Sequence, residues 1–180
     1  MKHTILTTKR KHPIHISIGT RLTLAAVFAA SVLLAACSGN STIYQQTHTF
    51  TNNTWMRFEP EVFEVPVDNA DECYDIHMSA RLDTTLYQLG DLPLIINVYS
   101  PDGQRRMFNG HIQVRDKDNH LTGHTTGRFV DVTAKVTRYF YFNSPGTHRI
   151  EVKNNISKYE LHGIANFAMR VEKSPIVYPE

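Results

Sequence analysis

From Trp55 onward, apolar residues recur at every second position, in short runs separated by turn residues. A period of two sends alternate side chains to opposite faces of an extended strand, whereas a helical stripe needs a period of 3.6. Phe63, Val65 and Val67 alternate with Glu64 and Pro66. The proline has no N–H for a sheet ladder, which assigns that strand to an edge or a bulge. Tyr74, Ile76, Met78, Ala80 and Leu82 share one face, and Asp75, His77, Ser79 and Arg81 the other. Leu94, Ile96 and Val98 form a third run, closed by the turn Pro101-Asp102-Gly103. Phe108, Ile112 and Val114 follow, with Gly110 as an expected bulge, and then a polar turn from Asp116 to Asn119. Val130, Val132, Ala134 and Val136 begin a long strand that runs on to Phe140 and Phe142. Ser144-Pro145-Gly146 turns it into a strand over 148–152, and a last strand spans 163–172. The one place for a helical turn is 157–161. Seven or eight short strands without intervening helices predict an all-β fold, an antiparallel β-sandwich or jelly roll over residues 55–174. Residues 175–180 fall outside the pattern and read as an extended tail.

The N-terminal part is of a different kind. Lys2, Lys9, Arg10, Lys11 and Arg21 form a cationic leader, and no acidic residue occurs before Glu59. A 15-residue apolar run, Leu22 to Ala36, follows and ends in Leu34-Ala35-Ala36-Cys37. The run is shorter than the roughly 18 residues needed to span a bilayer. A basic segment, a short apolar segment and small residues before a cysteine together read as a lipoprotein signal. On that reading residues 1–36 are removed and Cys37 becomes an N-terminus carrying a diacylglycerol and an N-acyl chain. An ordinary cleaved signal and an uncleaved anchor are the alternatives. Residues 37–54, almost uncharged and rich in Ser, Thr and Asn, read as a tether with a short edge strand near Ile43 and Tyr44. As a flexible chain it would span about 20–25 Å.

Removing the leader reverses the charge. Five of the 19 basic residues and none of the 17 acidic ones precede Cys37, so a formal +2 becomes 14 against 17, or −3. No later segment gathers a run of cations, which argues against nucleic acid as a partner. Only Cys73 remains as a thiol, so the domain has no internal disulfide and depends on packing.

Enzyme motifs are absent: there is no Gly-x-Ser-x-Gly elbow, no His-Glu-x-x-His, no phosphate loop and no Cys-x-x-Cys. His111, His120 and His124 are a conceivable metal set, but no helix makes the last two converge, and no metal is expected. The Asp116-x-Asp118 start of a calcium loop lacks its later Gly and Glu and reads as a hairpin. Neither a cofactor nor a small-molecule substrate is expected. If the long strand keeps its register, Tyr139 and Tyr141 lie together on its outer face, as a platform for sugars or a contact for a protein. Trp55, the only tryptophan, is a third candidate contact or a plug for one end of the sandwich.

Several landmarks occur in a fixed order: Tyr44; Thr54-Trp55 ahead of Phe63-Glu64-Val65; Tyr74-Asp75-Ile76 leading to Ala80-Arg81; Leu86-Tyr87 with Leu92-Pro93-Leu94. They continue through Ser100-Pro101-Asp102-Gly103 and Phe142 with Pro145-Gly146, and end in Glu160-Leu161-His162-Gly163-Ile164. This series, over residues 44–173, resembles the gliding-motility lipoprotein family GldH of Bacteroidota. The family's Trp-x-Gly-x-Gly segment is represented only by Leu121-Thr122-Gly123-His124. The resemblance implies an outer-membrane lipoprotein, held by its lipid, that serves gliding, type IX secretion or related envelope machinery by binding protein partners. A glycan-binding lipoprotein is the alternative. Asp83-Thr84-Thr85 fits the O-glycan acceptor pattern of Bacteroidota, with Thr84 as the acceptor. The residues after Cys37 lack the acidic signal for surface export, which implies the periplasmic face.

Overall fold

The computed structural model describes residues 41–175. The leader, the lipobox Leu34-Ala35-Ala36, Cys37 and most of the expected tail lie outside them. Eleven strands run in chain order: β1 (Thr42–Thr49), β2 (Thr54–Met56), β3 (Glu61–Val67), β4 (Cys73–Asp83), β5 (Asp91–Tyr99) and β6 (Arg105–Gln113). They continue as β7 (His124–Thr126), β8 (Phe129–Tyr141), β9 (Gly146–Asn154), β10 (Glu160–His162) and β11 (Ile164–Lys173). One sheet has the order β1-β11-β4-β8-β7, the other β3-β9-β5-β6, and β2 with β10 makes a separate two-stranded ribbon. All the pairings are antiparallel. The fold is an all-β sandwich.

Alternation builds its core. Ile76, Met78, Leu82, Val130, Val132, Phe167, Met169 and Val171 face inward from the first sheet. They meet Phe63, Val65, Leu94, Ile96, Val98, Ile150 and Val152 from the second. Each such side chain contributes about 1.5–3 kcal/mol of burial. Pro66 sits on β3, an edge strand, where a missing N–H costs no ladder bond.

Four expectations need correction. Residues 42–54 are not a tether: Thr42–Thr49 pair with β11 along their length, and Thr54–Met56 form β2. Ile43 and Tyr44 pack against the core, and His48 stacks on Phe63 at 4.5 Å while bonding Glu61, which joins the edge strands β1 and β3. Gly110 makes no bulge, because β5 and β6 stay in register past it. It faces inward, where a Cβ would lie 3.0 Å from Ile96 Cδ1 and 3.3 Å from Val136 Cβ, so its small size lets β6 approach β8. The segment 157–161 is not helical; bends lead straight into β10.

The long strand β8 is the fourth. Its pairing with β4 shifts twice, between Tyr74 and Ile76 and again between Ile76 and His77. Two inserted residues cancel in parity, so Phe140 and Phe142 still reach the core. Tyr139 falls in the irregular stretch with φ 53°. The buried Asp75 carboxylate supports this bend by accepting bonds from the Tyr139 amide (3.1 Å), from Lys135 Nζ and from Ser174 Oγ. Burial pushes the Asp75 carboxyl up, but those bonds outweigh it and hold it below the ordinary carboxylate value.

Candidate functional site

Landmarks far apart in the chain meet at one end of the sandwich, opposite the end where Thr42 enters β1. The β2–β10 ribbon pairs Leu161 with Trp55, His162 with Thr54 and Glu160 with Met56. Trp55 is fully buried, stacks on Phe50 at 5.2 Å, meets Phe167 at a tilt with 4.9 Å between ring centroids, and donates Nε1–H to the Glu59 carbonyl at 3.0 Å. It plugs the end of the core and, with no exposed surface, is not a contact residue for a partner. Behind it, Gly163 has φ 91° and lies against Leu86 and Tyr87; a Cβ there would stand 2.7 Å from the Tyr87 amide nitrogen. Tyr87 is buried, and its hydroxyl donates to the Asp91 carbonyl at 2.7 Å. Burial raises the pKa of that phenol.

Around this buried wedge the surface is open and aromatic. Phe58 and Tyr159, on the loops flanking the ribbon, are 72% and 60% exposed, and their rings lie 5.9 Å apart. Arg57 covers one face of Phe58 and donates Nη1–H to the Ser157 carbonyl, while its amide bonds the Tyr159 carbonyl at 2.9 Å. Leu86 is exposed as well. Two clefts flank Glu160 and His162. One, of about 610 Å³, is lined by Phe50, Asn52, Thr54, Met56 and Glu59. The other, of about 140 Å³, is lined by Leu86, Gln88, Leu89 and Lys158. His162 Nδ1 bonds Thr54 Oγ1 at 3.0 Å, and its Nε2 stands 3.4 Å from Glu160. Exposed aromatic and aliphatic side chains beside shallow polar clefts are the composition of a protein-contact surface.

Sequence reasoning missed Phe58, Tyr159 and Leu86 as surface contacts. The available signal is that each stands in a turn segment outside the alternating runs, where no core face is on offer.

Tyr139 and Tyr141 are 57% and 46% exposed, at the end where the chain enters β1. Because Tyr139 lies in the bulged stretch, the flat i, i+2 platform of a regular strand is interrupted. Thr84 is half-buried, and its hydroxyl donates to the Arg128 carbonyl at 2.9 Å. The neighbouring Asp83 caps the same turn: Thr85 donates to it through Oγ1 (2.6 Å) and amide (3.0 Å), and Arg128 Nε lies 3.1 Å away. The Thr85 bonds, helped by Arg128, hold its carboxyl below the ordinary value.

His111, His120 and His124 do not come together as a ligand group among the described residues. Asp116, Asp118 and His120 do, but the Asp116 carboxylate is engaged by the amides of Asp118 and His120 in a hairpin turn. Asp75, His77 and Glu172 cluster on the outer face of the first sheet. Lys135 already pairs with Asp75 and Arg170 with Glu172, and His77 Nε2 lies 2.7 Å from Glu172.

A model of the GldH lipoprotein family matches residues 42–171, from the first residue of β1 to the end of the core-facing part of β11. The chain belongs to the GldH lipoprotein family. In this GldH family member the match covers every strand but the last two residues of β11, and it includes the β2–β10 ribbon. Membership implies a lipid-modified protein. A search of curated proteins finds no match. Among solved structures, a fructofuranosidase of Schwanniomyces occidentalis aligns at 8% identity and a TM-score of 0.37. The alignment covers 76% of this chain and 34% of that one, and a likeness at this level carries no argument.

Proposed function

We propose that this GldH family member is a non-enzymatic accessory of an envelope machine, serving gliding motility, type IX secretion or a related assembly. Lipidated Cys37 holds it to the outer membrane, on the periplasmic face. It binds a protein partner through the end of the sandwich that carries Phe58, Tyr159 and Leu86. The observation that supports this reading is the convergence of three family landmarks, Thr54-Trp55, Leu86-Tyr87 and Glu160–Ile164, beneath that exposed surface. A buried wedge fixes the loops, and fixed loops bind with less ordering cost.

Site-specific photo-crosslinking in native cells tests it. A crosslinker at Phe58 or Tyr159 is expected to capture an envelope protein, and one at Met107, exposed on β6, is not. A Phe58→Ala/Tyr159→Ala variant that folds normally and still retains every co-purifying partner would overturn the interface. Removal of the domain by protease added to intact cells would overturn the periplasmic placement.

A further inference from the structure

The strand that replaces the expected tether leaves little chain between the lipid and the domain. Only residues 38–41 separate Cys37 from the first residue of β1. Five Cα–Cα steps reach at most about 18 Å, whatever path they take. The carbonyl of Ser41 is held by the Lys173 amide at 2.7 Å, so the chain leaves the sandwich beside the end of β11. That end also carries the start of β4 and the end of β8, since Thr42 pairs with Glu172, Lys173 with Tyr74 and Tyr141 with Cys73. Strands lie about 4.8 Å apart, which puts the end of β8 about 14 Å sideways from Thr42.

At that place Tyr139 and Tyr141 project into solvent, with the exposed Arg138 next to them and Arg106 donating to the Tyr141 carbonyl. Tyr139 adopts φ 53°, a conformation that costs a bulky residue energy and is retained by the Asp75 bonds described above. Tyrosine suits the boundary between headgroups and acyl chains, because its ring is apolar and its hydroxyl is wet. Arginine beside it suits lipid phosphate. Asp68 and Glu72 lie at the same end, in a cleft with Ile43, Pro66, Tyr74 and Lys173, where Lys173 pairs with Glu72.

We infer that Tyr139 and Tyr141 form a membrane-contact corner that rests on the phospholipid leaflet holding the Cys37 lipid. This rests on the lipidation reading of Cys37 and assigns these tyrosines to lipid, not to a protein. The consequence for the opposite end is direct: the Phe58–Tyr159 surface is presented away from the bilayer.

The test uses the full lipidated protein in vesicles of phosphatidylethanolamine and phosphatidylglycerol, with tryptophan as a depth reporter. Trp55 is fully buried and supplies a constant background. In Tyr139→Trp or Tyr141→Trp, brominated phospholipids are expected to quench the added emission and the spectrum to shift to the blue. In Phe58→Trp neither change is expected. Equal, unquenched emission from all three variants, in vesicles that float with mass-verified lipidated protein, would overturn the contact while leaving the anchor intact. Failure to float, or a mass without lipid, would overturn the anchor reading and the contact with it. In cells, a crosslinker at Tyr139 that captures a protein in place of lipid would also overturn the assignment.

Discussion

Gly163→Ala is the sharpest test of how the candidate site is assembled. Gly163 joins β10 to β11 with φ 91°, and its amide and carbonyl bond Asn53 and Asp83 at 2.7 and 2.8 Å, so the backbone cannot turn away freely. Left-handed backbone costs an L-residue about 1–2 kcal/mol. The new Cβ would stand 2.7 Å from Tyr87 N, 2.9 Å from Tyr87 Cβ and 3.1 Å from Leu86 Cβ. Those atoms belong to a turn locked by the Tyr87 amide bond to the Asp83 carbonyl at 2.8 Å. Moving it adds about 1–3 kcal/mol, the usual cost of overpacking. The expected loss is about 2–5 kcal/mol, against a total of about 5–15 kcal/mol for a domain. With a urea slope of about 2 kcal/mol/M, the midpoint should fall by about 1–2.5 M. Trp55 emission reports unfolding, since the native residue is fully buried. Gly103→Ala is the control: Gly103 has φ 85°, but a Cβ there meets nothing within 4 Å. It should lose only the conformational part, about 1–2 kcal/mol. Equal midpoint shifts for the two variants would refute the steric argument that Leu86-Tyr87 and Gly163 are packed into one unit.

Three further outcomes are expected. Trp55→Ala empties the plug between Phe50 and Phe167 and should cost about 3–5 kcal/mol in urea unfolding followed by circular dichroism. Asp75→Asn removes the charge that holds Lys135 and the Tyr139 amide and should destabilise by about 1–3 kcal/mol, with the Tyr139 amide resonance moving in NMR spectra. The Asp75 pKa is depressed in the fold, so in the parent this contribution is present above about pH 4 and is lost as pH falls through the folded value. His148 is fully buried against Phe142, and burial lowers its pKa, with the Arg106 charge adding to this and Asp102 and the Gly146 carbonyl opposing it. Stability should therefore decline as pH drops below about 6.5, and His148→Phe should flatten that slope in urea midpoints measured against pH.

The strands of the two sheets were legible because burial on one face leaves an alternating record. Phe63-Val65-Val67, Tyr74 to Leu82 and Leu94-Ile96-Val98 all lie where their periodicity places them. β1 was not legible. As an edge strand it buries little, so Thr42–Thr49 carry polar residues at most positions and resemble a linker. Its pairing depends on β11, more than a hundred residues away, and no local pattern records such a partner. The double register shift in β8 left no trace either, because two insertions restore the parity that a reader counts. The exposed end with Phe58, Tyr159 and Leu86 escaped for a related reason. Each residue looks like an isolated aromatic or aliphatic in a turn until β2 and β10 bring the loops together.

Local chemistry alone thus determined the sandwich class, the restriction of Pro66 to an edge or a bulge and the acidic balance of the chain beyond Cys37. Those properties depend on side-chain period, on one missing N–H and on counted charges, all of which are local or additive. Tertiary structure alone decided that Trp55 is a plug, that Gly110 is a close approach and that the domain starts at Thr42. It also decided that Tyr139 and Tyr141 lie at the end where the chain enters β1 and Phe58 with Tyr159 at the other. Each of these turns on which distant strand lies alongside, and a strand's hydrogen-bonding edge is the same for every neighbour until the fold selects one.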